Sequence, residues 1–165
     1  MNNNPNLYWP IYKNLEKEVL NLANYIHFED AQLEVYSSYI ADLIVRCYVE
    51  IEAISKEMYK EITGNSKNVN GKHLKFDTDC LELLEEKWKL SSKQITLSAM
   101  NMYFSNKMRI LTPLYKANQC GKSASGWARA YQALKHDRKN NLKLGNIGNL
   151  IQSMGALYIL NLYYK

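Results

Sequence analysis

The chain has 165 residues, 47% of them hydrophobic and 22% charged, with 13 tyrosines and three prolines, a balance that excludes intrinsic disorder and predicts one domain over residues 1–165. The opening MNNNPNLYWPIYK lacks a basic stretch followed by an apolar run, and nowhere do about 18 uncharged apolar residues follow one another, so neither secretion nor a membrane partner is expected. The net charge of +5 conceals an asymmetry: residues 1–100 carry 11 Lys/Arg against 15 Asp/Glu, whereas residues 101–165 carry 10 Lys/Arg and only Asp137.

From Pro10, which fits a helix's first turn, Ile11, Leu15, Val19, Leu20, Leu22 and Ile26 recur at mostly helical intervals, predicting a first helix to about Ile26. The stripe Tyr36, Ile40, Leu43, Ile44, Cys47, Tyr48, Ile51, Ile54, Met58 and Ile62 predicts a second, longer one. Gly64 ends it, and GNSKNVNGKH has turn composition. Asp77, with Glu82 nearby, is expected to open a short third helix through DTDCLELLEEKWKL. The segments KQITLSAMNMYF and KMRILTPLY hold alternating or β-branched residues, which predicts a small β-hairpin or irregular insertion near residues 94–116, confined to an edge by Pro113.

After the loop NQCGKSASG, the segment WARAYQALKHDRK predicts a helix, NNLKLGN a break, and IGNLIQSMGALYILNLYY a helix apolar enough to lie inside a bundle. The expected fold is mainly α: a bundle of about four to five helices.

The basic third draws attention to residues 122–139. At about 100° per residue, Trp127, Tyr131 and Leu134 fall within about 60° of each other and face inward. Arg129 and His136, seven apart, fall within about 20° of each other on the other side. Gln132 lies near them, and Lys122, Ser125 and Lys139 extend the same polar face. An imidazole moves protons near neutral pH, and a guanidinium binds phosphate bidentately. Without any metal, such a pair can activate a ribose 2′-hydroxyl against the adjacent phosphodiester, chemistry confined to RNA. Arg and His at this spacing also occur often on solvated helix faces, and basic patches serve as plain surface too.

Other features point elsewhere. The odd, widely spaced Cys47, Cys80 and Cys120 read as reduced thiols in a cytoplasmic protein, with neither zinc nor disulfides. GKS at Gly121–Ser123 is no phosphate loop, because Lys116 stands where the first glycine belongs. His27 and His73 lack companions at ligand spacing. Glu50, Glu57 and Glu61 interleave with Lys56 and Lys60 as a solvated face does. Tyr103, Tyr115, Tyr158, Tyr163 and Tyr164 suit base stacking beside the basic patch, or a core or dimer interface.

The pattern W-x3-Y-x2-L-KHDR, followed by a linker and a terminal apolar helix, resembles the HEPN superfamily of bacterial toxin and abortive-infection systems, whose signature is Arg, four to six residues, then His. It maps onto Arg129 and His136 with AYQALK between them. YSSYIADLIVRCYVEIEAISKEMYKE resembles the long helix of such domains, so the likeness spans about residues 36–62 and 123–163. Ala130 departs from it, since the residue after the Arg is often polar in active members.

The resemblance implies a homodimer with two Arg/His pairs in one basic cleft, acting as a metal-independent endoribonuclease in phage defence or a toxin–antitoxin system. An antitoxin or other partner protein then restrains it, and no cofactor is needed. His136 is the expected general acid/base and Arg129 the phosphate ligand, with Gln132, Lys135, Arg138 and Lys139 holding the RNA backbone. The alternative is a catalytically silent HEPN-like module that binds RNA, nucleotide or a partner. A third reading is a structural bundle whose basic face does nothing specific.

Overall fold

In the computed structural model, which describes residues 6–164, five helices surround a core centred on the second and last of them. α1 (Tyr8–Leu22) begins two residues ahead of Pro10, because the Asn6 carboxamide accepts from the backbone N–H groups of Tyr8 (2.9 Å) and Trp9 (3.1 Å). Pro10 thus sits inside the first turn, where a missing N–H costs nothing. The helix stops at Leu22, short of the expected Ile26. Ile26 still packs against the core from the following turn, so its spacing reflected burial and not helix.

α2 (Ser38–Thr63) follows its apolar stripe closely. The Ser37 hydroxyl accepts from the Ile40 N–H at 3.1 Å, and Gly64 closes the helix in the left-handed conformation at φ 71°. Ile40, Ile44, Cys47, Ile51 and Ile54 are completely buried, mostly against α5 (Ile147–Tyr163), whose Leu150, Ala156, Leu157 and Leu160 are equally enclosed.

The third helix is less regular than its sequence suggests. Residues Phe76–Leu81 form a wide π-type turn before α3 (Glu82–Trp88). Asp79, not Asp77, reaches back to the Lys75 N–H (2.8 Å), and it also accepts from Asn68 (3.3 Å); Asp77 is occupied by the adjacent Thr78 N–H (2.7 Å).

The insertion near residues 94–116 contains one short antiparallel pair, β1 (Ile95–Thr96) with β2 (Ile110–Leu111). Between the strands Arg109 gathers three carbonyls, donating to those of Phe104 (2.8 Å), Met102 (2.8 Å) and Leu97 (3.5 Å), while Asn101 donates to the Leu20 carbonyl (3.1 Å) and Asp30 accepts from the Ser105 N–H (3.0 Å). Pro113 lies just beyond the pair, and its carbonyl accepts from the indole of buried Trp127 at 2.7 Å. No helix among the described residues is long and apolar enough to cross a membrane.

Candidate nucleic-acid interface on α4

α4 (Gly126–Asn141) leans on α2 through an aromatic joint. Tyr131 stacks on Tyr48 with ring centroids 3.5 Å apart, and Trp127 meets the edge of the same ring at 6.0 Å. Trp127, Tyr131 and Leu134 are buried as the sequence pattern requires, and Ala130 joins them at 1% exposure. The residue after Arg129 is therefore small because it packs against the bundle.

On the opposite side Arg129 and His136 are both exposed. Seven helical residues set them on one face about 10 Å apart along the axis. Among the described residues neither side chain has a hydrogen-bond or ion-pair partner. Most of their neighbours do. Gln132 donates to the Tyr48 hydroxyl at 3.1 Å, Arg138 pairs with Asp42 on α2 at 2.6 Å, and the Lys135 ammonium lies 5.8 Å from the Tyr131 ring centre. Burial pushes the Tyr48 phenol up from its ordinary value, more than the Gln132 contact lowers it, so this hydroxyl stays neutral.

The single helical wheel over residues 122–139 is too long. At Asp137 the backbone leaves helical geometry (φ −152°, ψ 67°). The Asp137 carboxylate accepts from the Asn140 side chain at 2.9 Å and its carbonyl from Asn141 at 2.8 Å, a local alternative to the helical ladder. Lys139, exposed, lies past this break and does not continue the Arg129/His136 row. At the other end Gly121–Ser123 is a separate 3-10 turn, and Ser125 is buried instead of facing outward.

A groove of about 510 Å³ opens beside the start of α4. Tyr48 and Phe76 wall it, Lys122 and Arg129 bring two cations, Gln119 and Gln132 bring amides, and Asp77 adds a carboxylate. His136 is not among its walls. Tyr48 and Gln119 gave no functional signal in the sequence: a tyrosine in a core stripe looks the same whether or not its hydroxyl reaches an opening.

The remaining candidates have ordinary surroundings. His27 stacks on Tyr103 with centroids 4.3 Å apart, Tyr158 packs on Tyr12, Tyr163 on Trp88, and Tyr164 on Tyr8. Among the described residues, no three His, Cys, Asp or Glu side chains converge so as to hold a metal ion. No family model, curated protein or solved structure matches the chain.

Proposed function

We propose that the chain is a HEPN-like, metal-independent endoribonuclease in which Arg129 holds the scissile phosphate and His136 moves the proton. The reading rests on one observation: Gln132, Lys135 and Arg138 are engaged by α2 or by α4 itself, while Arg129 and His136 stand exposed on one face with no partner. In the reaction, neutral His136 takes the ribose 2′-hydroxyl proton, the oxygen attacks the neighbouring phosphorus, and the 5′-oxygen leaves as a cyclic phosphate forms. The Arg129 guanidinium offsets the charge gathering on the phosphoryl oxygens. A single chain leaves the pair open to water, so a second copy apposing its own α4 confines the site and supplies the imidazolium that protonates the leaving oxygen. Phage defence or a toxin–antitoxin pairing in the cytoplasm, with a restraining partner protein, is the setting that accompanies this reading.

The test is cleavage of a mixed RNA pool in excess EDTA, with sedimentation alongside. His136→Ala should abolish cleavage while fold and dimer persist, and Arg129→Ala should weaken both binding and cleavage. Cleavage that survives His136→Ala, or a strictly monomeric protein at micromolar concentration, sinks the proposal. A silent RNA- or nucleotide-binding module is the second reading, favoured by the groove that includes Arg129 and leaves His136 outside. Binding unaffected by His136→Ala but weakened by Arg129→Ala, without cleavage, selects it.

A further inference from the structure

A second opening shares no wall with the α4 groove. It is a cavity of about 370 Å³ between α1, the 95–102 stretch and α5, within the size range of small-molecule sites. Its body is apolar: Val19 and Leu20 come from α1, Ile151 and Met154 from α5, and Leu97 and Met102 from the insertion. Two of these walls are thioethers, which adjust to irregular ligands at low cost. The rings of Tyr12 and Tyr158, 5.4 Å apart, add aromatic surface.

Among the walls, Glu16 alone carries a charge. Its carboxylate is fixed in place, accepting from the Tyr12 hydroxyl at 2.9 Å on one oxygen and from the Lys13 ammonium on the other. A carboxylate offers about four acceptor positions, so those two donors leave capacity for a ligand. Lys13 is not a wall of the cavity, and its side chain is 53% exposed. The interior therefore combines an apolar body with one anchored negative group at its side.

We propose that this cavity binds a compact amine, with an aromatic or aliphatic body between α1 and α5 and a protonated nitrogen on Glu16. A carboxylate-bearing ligand of the same shape is disfavoured, because its charge would meet the Glu16 carboxylate at the cavity's side. This binding is independent of the RNA chemistry assigned to α4.

Three ligands of one shape test it: 4-phenylbutylamine, 4-phenylbutanol and 4-phenylbutyrate, titrated into the full chain carrying 13C-methyl methionine. The amine should shift the Met102 and Met154 methyl signals saturably and bind about tenfold tighter than the alcohol, reflecting a charge-assisted contact against a neutral one. The carboxylate should bind weakest. Glu16→Gln, at a half-exposed position, should bring the amine down to the alcohol's affinity, and Ala99→Trp should block all three. Should that crowded variant fail to fold, the Glu16→Gln comparison and the methyl assignments decide alone. Equal affinity for amine and alcohol, an unchanged preference in Glu16→Gln, or shifts confined to Met100 and Met108 would overturn the proposal.

Discussion

Replacing Gly145 by alanine puts a methyl group where the backbones of two elements nearly touch. An added Cβ would stand 2.6 Å from the Ala41 Cβ and 3.0 Å from the Ala41 Cα on α2, and 3.1 Å from the Leu142 carbonyl oxygen. Two of those three atoms are backbone, so no rotamer change relieves the contact. Gly145 also accepts the Ser37 N–H at 3.2 Å, which ties the approach to the start of α2. Overpacking of this kind costs about 1–3 kcal/mol, offset by roughly 0.4–1 kcal/mol of unfolded-state entropy that alanine removes.

We expect a net loss of about 1–2 kcal/mol, or a melting temperature lower by about 2–8 °C for a chain of this size. Ala41→Gly alone should cost about 1 kcal/mol through helix propensity. Combined, the two changes should cost clearly less than their sum, because the closest of the clashing atoms is gone. Urea denaturation followed by circular dichroism on the four proteins of the cycle measures the coupling. Additivity within about 0.5 kcal/mol would refute the claim that the two residues collide.

Ser125 precedes α4 at the capping position, yet its hydroxyl makes no capping bond and is buried without a partner among the described residues; Ser125→Ala should therefore be neutral or stabilising by up to about 1 kcal/mol in a thermal melt, and a loss above about 1 kcal/mol would contradict this. Burial pushes the Cys47 and Cys80 thiols up to about 12 while Cys120 is exposed, so Ellman's reagent at pH 8 should titrate one thiol per native chain and three after denaturation, and none rapidly in Cys120→Ser. The Arg46 guanidinium, and secondarily the Tyr39 hydroxyl, hold Glu18 below its ordinary 4.5. The α1–α2 bridge thus contributes above that value and is lost as pH falls through the folded one. With side chains 49% and 32% exposed, Arg46→Ala should cost less than about 1 kcal/mol at pH 7, and the difference from wild type should shrink as pH falls below 4.5.

The long regular elements were readable because burial and helical period coincide in them. α2 carries its own start in Ser37 and its own stop in Gly64, and α5 is apolar around nearly its whole surface. Ile26 misled because a core contact made from a turn has the same spacing as one made from a helix. The π-type turn at Phe76–Leu81 depends on Asp79 finding Lys75 and Asn68, a tertiary choice between two nearby aspartates that local sequence treats as equivalent. On α4 the inward and outward faces were correctly separated up to His136, since alternation of apolar and polar residues there is clean. The break at Asp137 was not visible, because KHDRK reads as a helical run until the aspartate's own hydrogen bonds are counted. Which polar residues of the face are free for a ligand depended on Tyr48 and Asp42, both contributed by α2 from far away in the chain.

Arg109 changes how the insertion should come apart. A longer ribbon frays from one end, each rung lost at small separate cost, but here the carbonyls of Leu97, Met102 and Phe104 all hang on one guanidinium. When that group lets go, all three carbonyls lose their donor together, while Tyr103 on the Phe28 carbonyl (2.7 Å) and Asn101 on the Leu20 carbonyl (3.1 Å) still moor the stretch to its neighbours. Lysine at the same position keeps the charge and loses the fork, so the ribbon's interior loosens while its moorings to Leu20 and Phe28 persist.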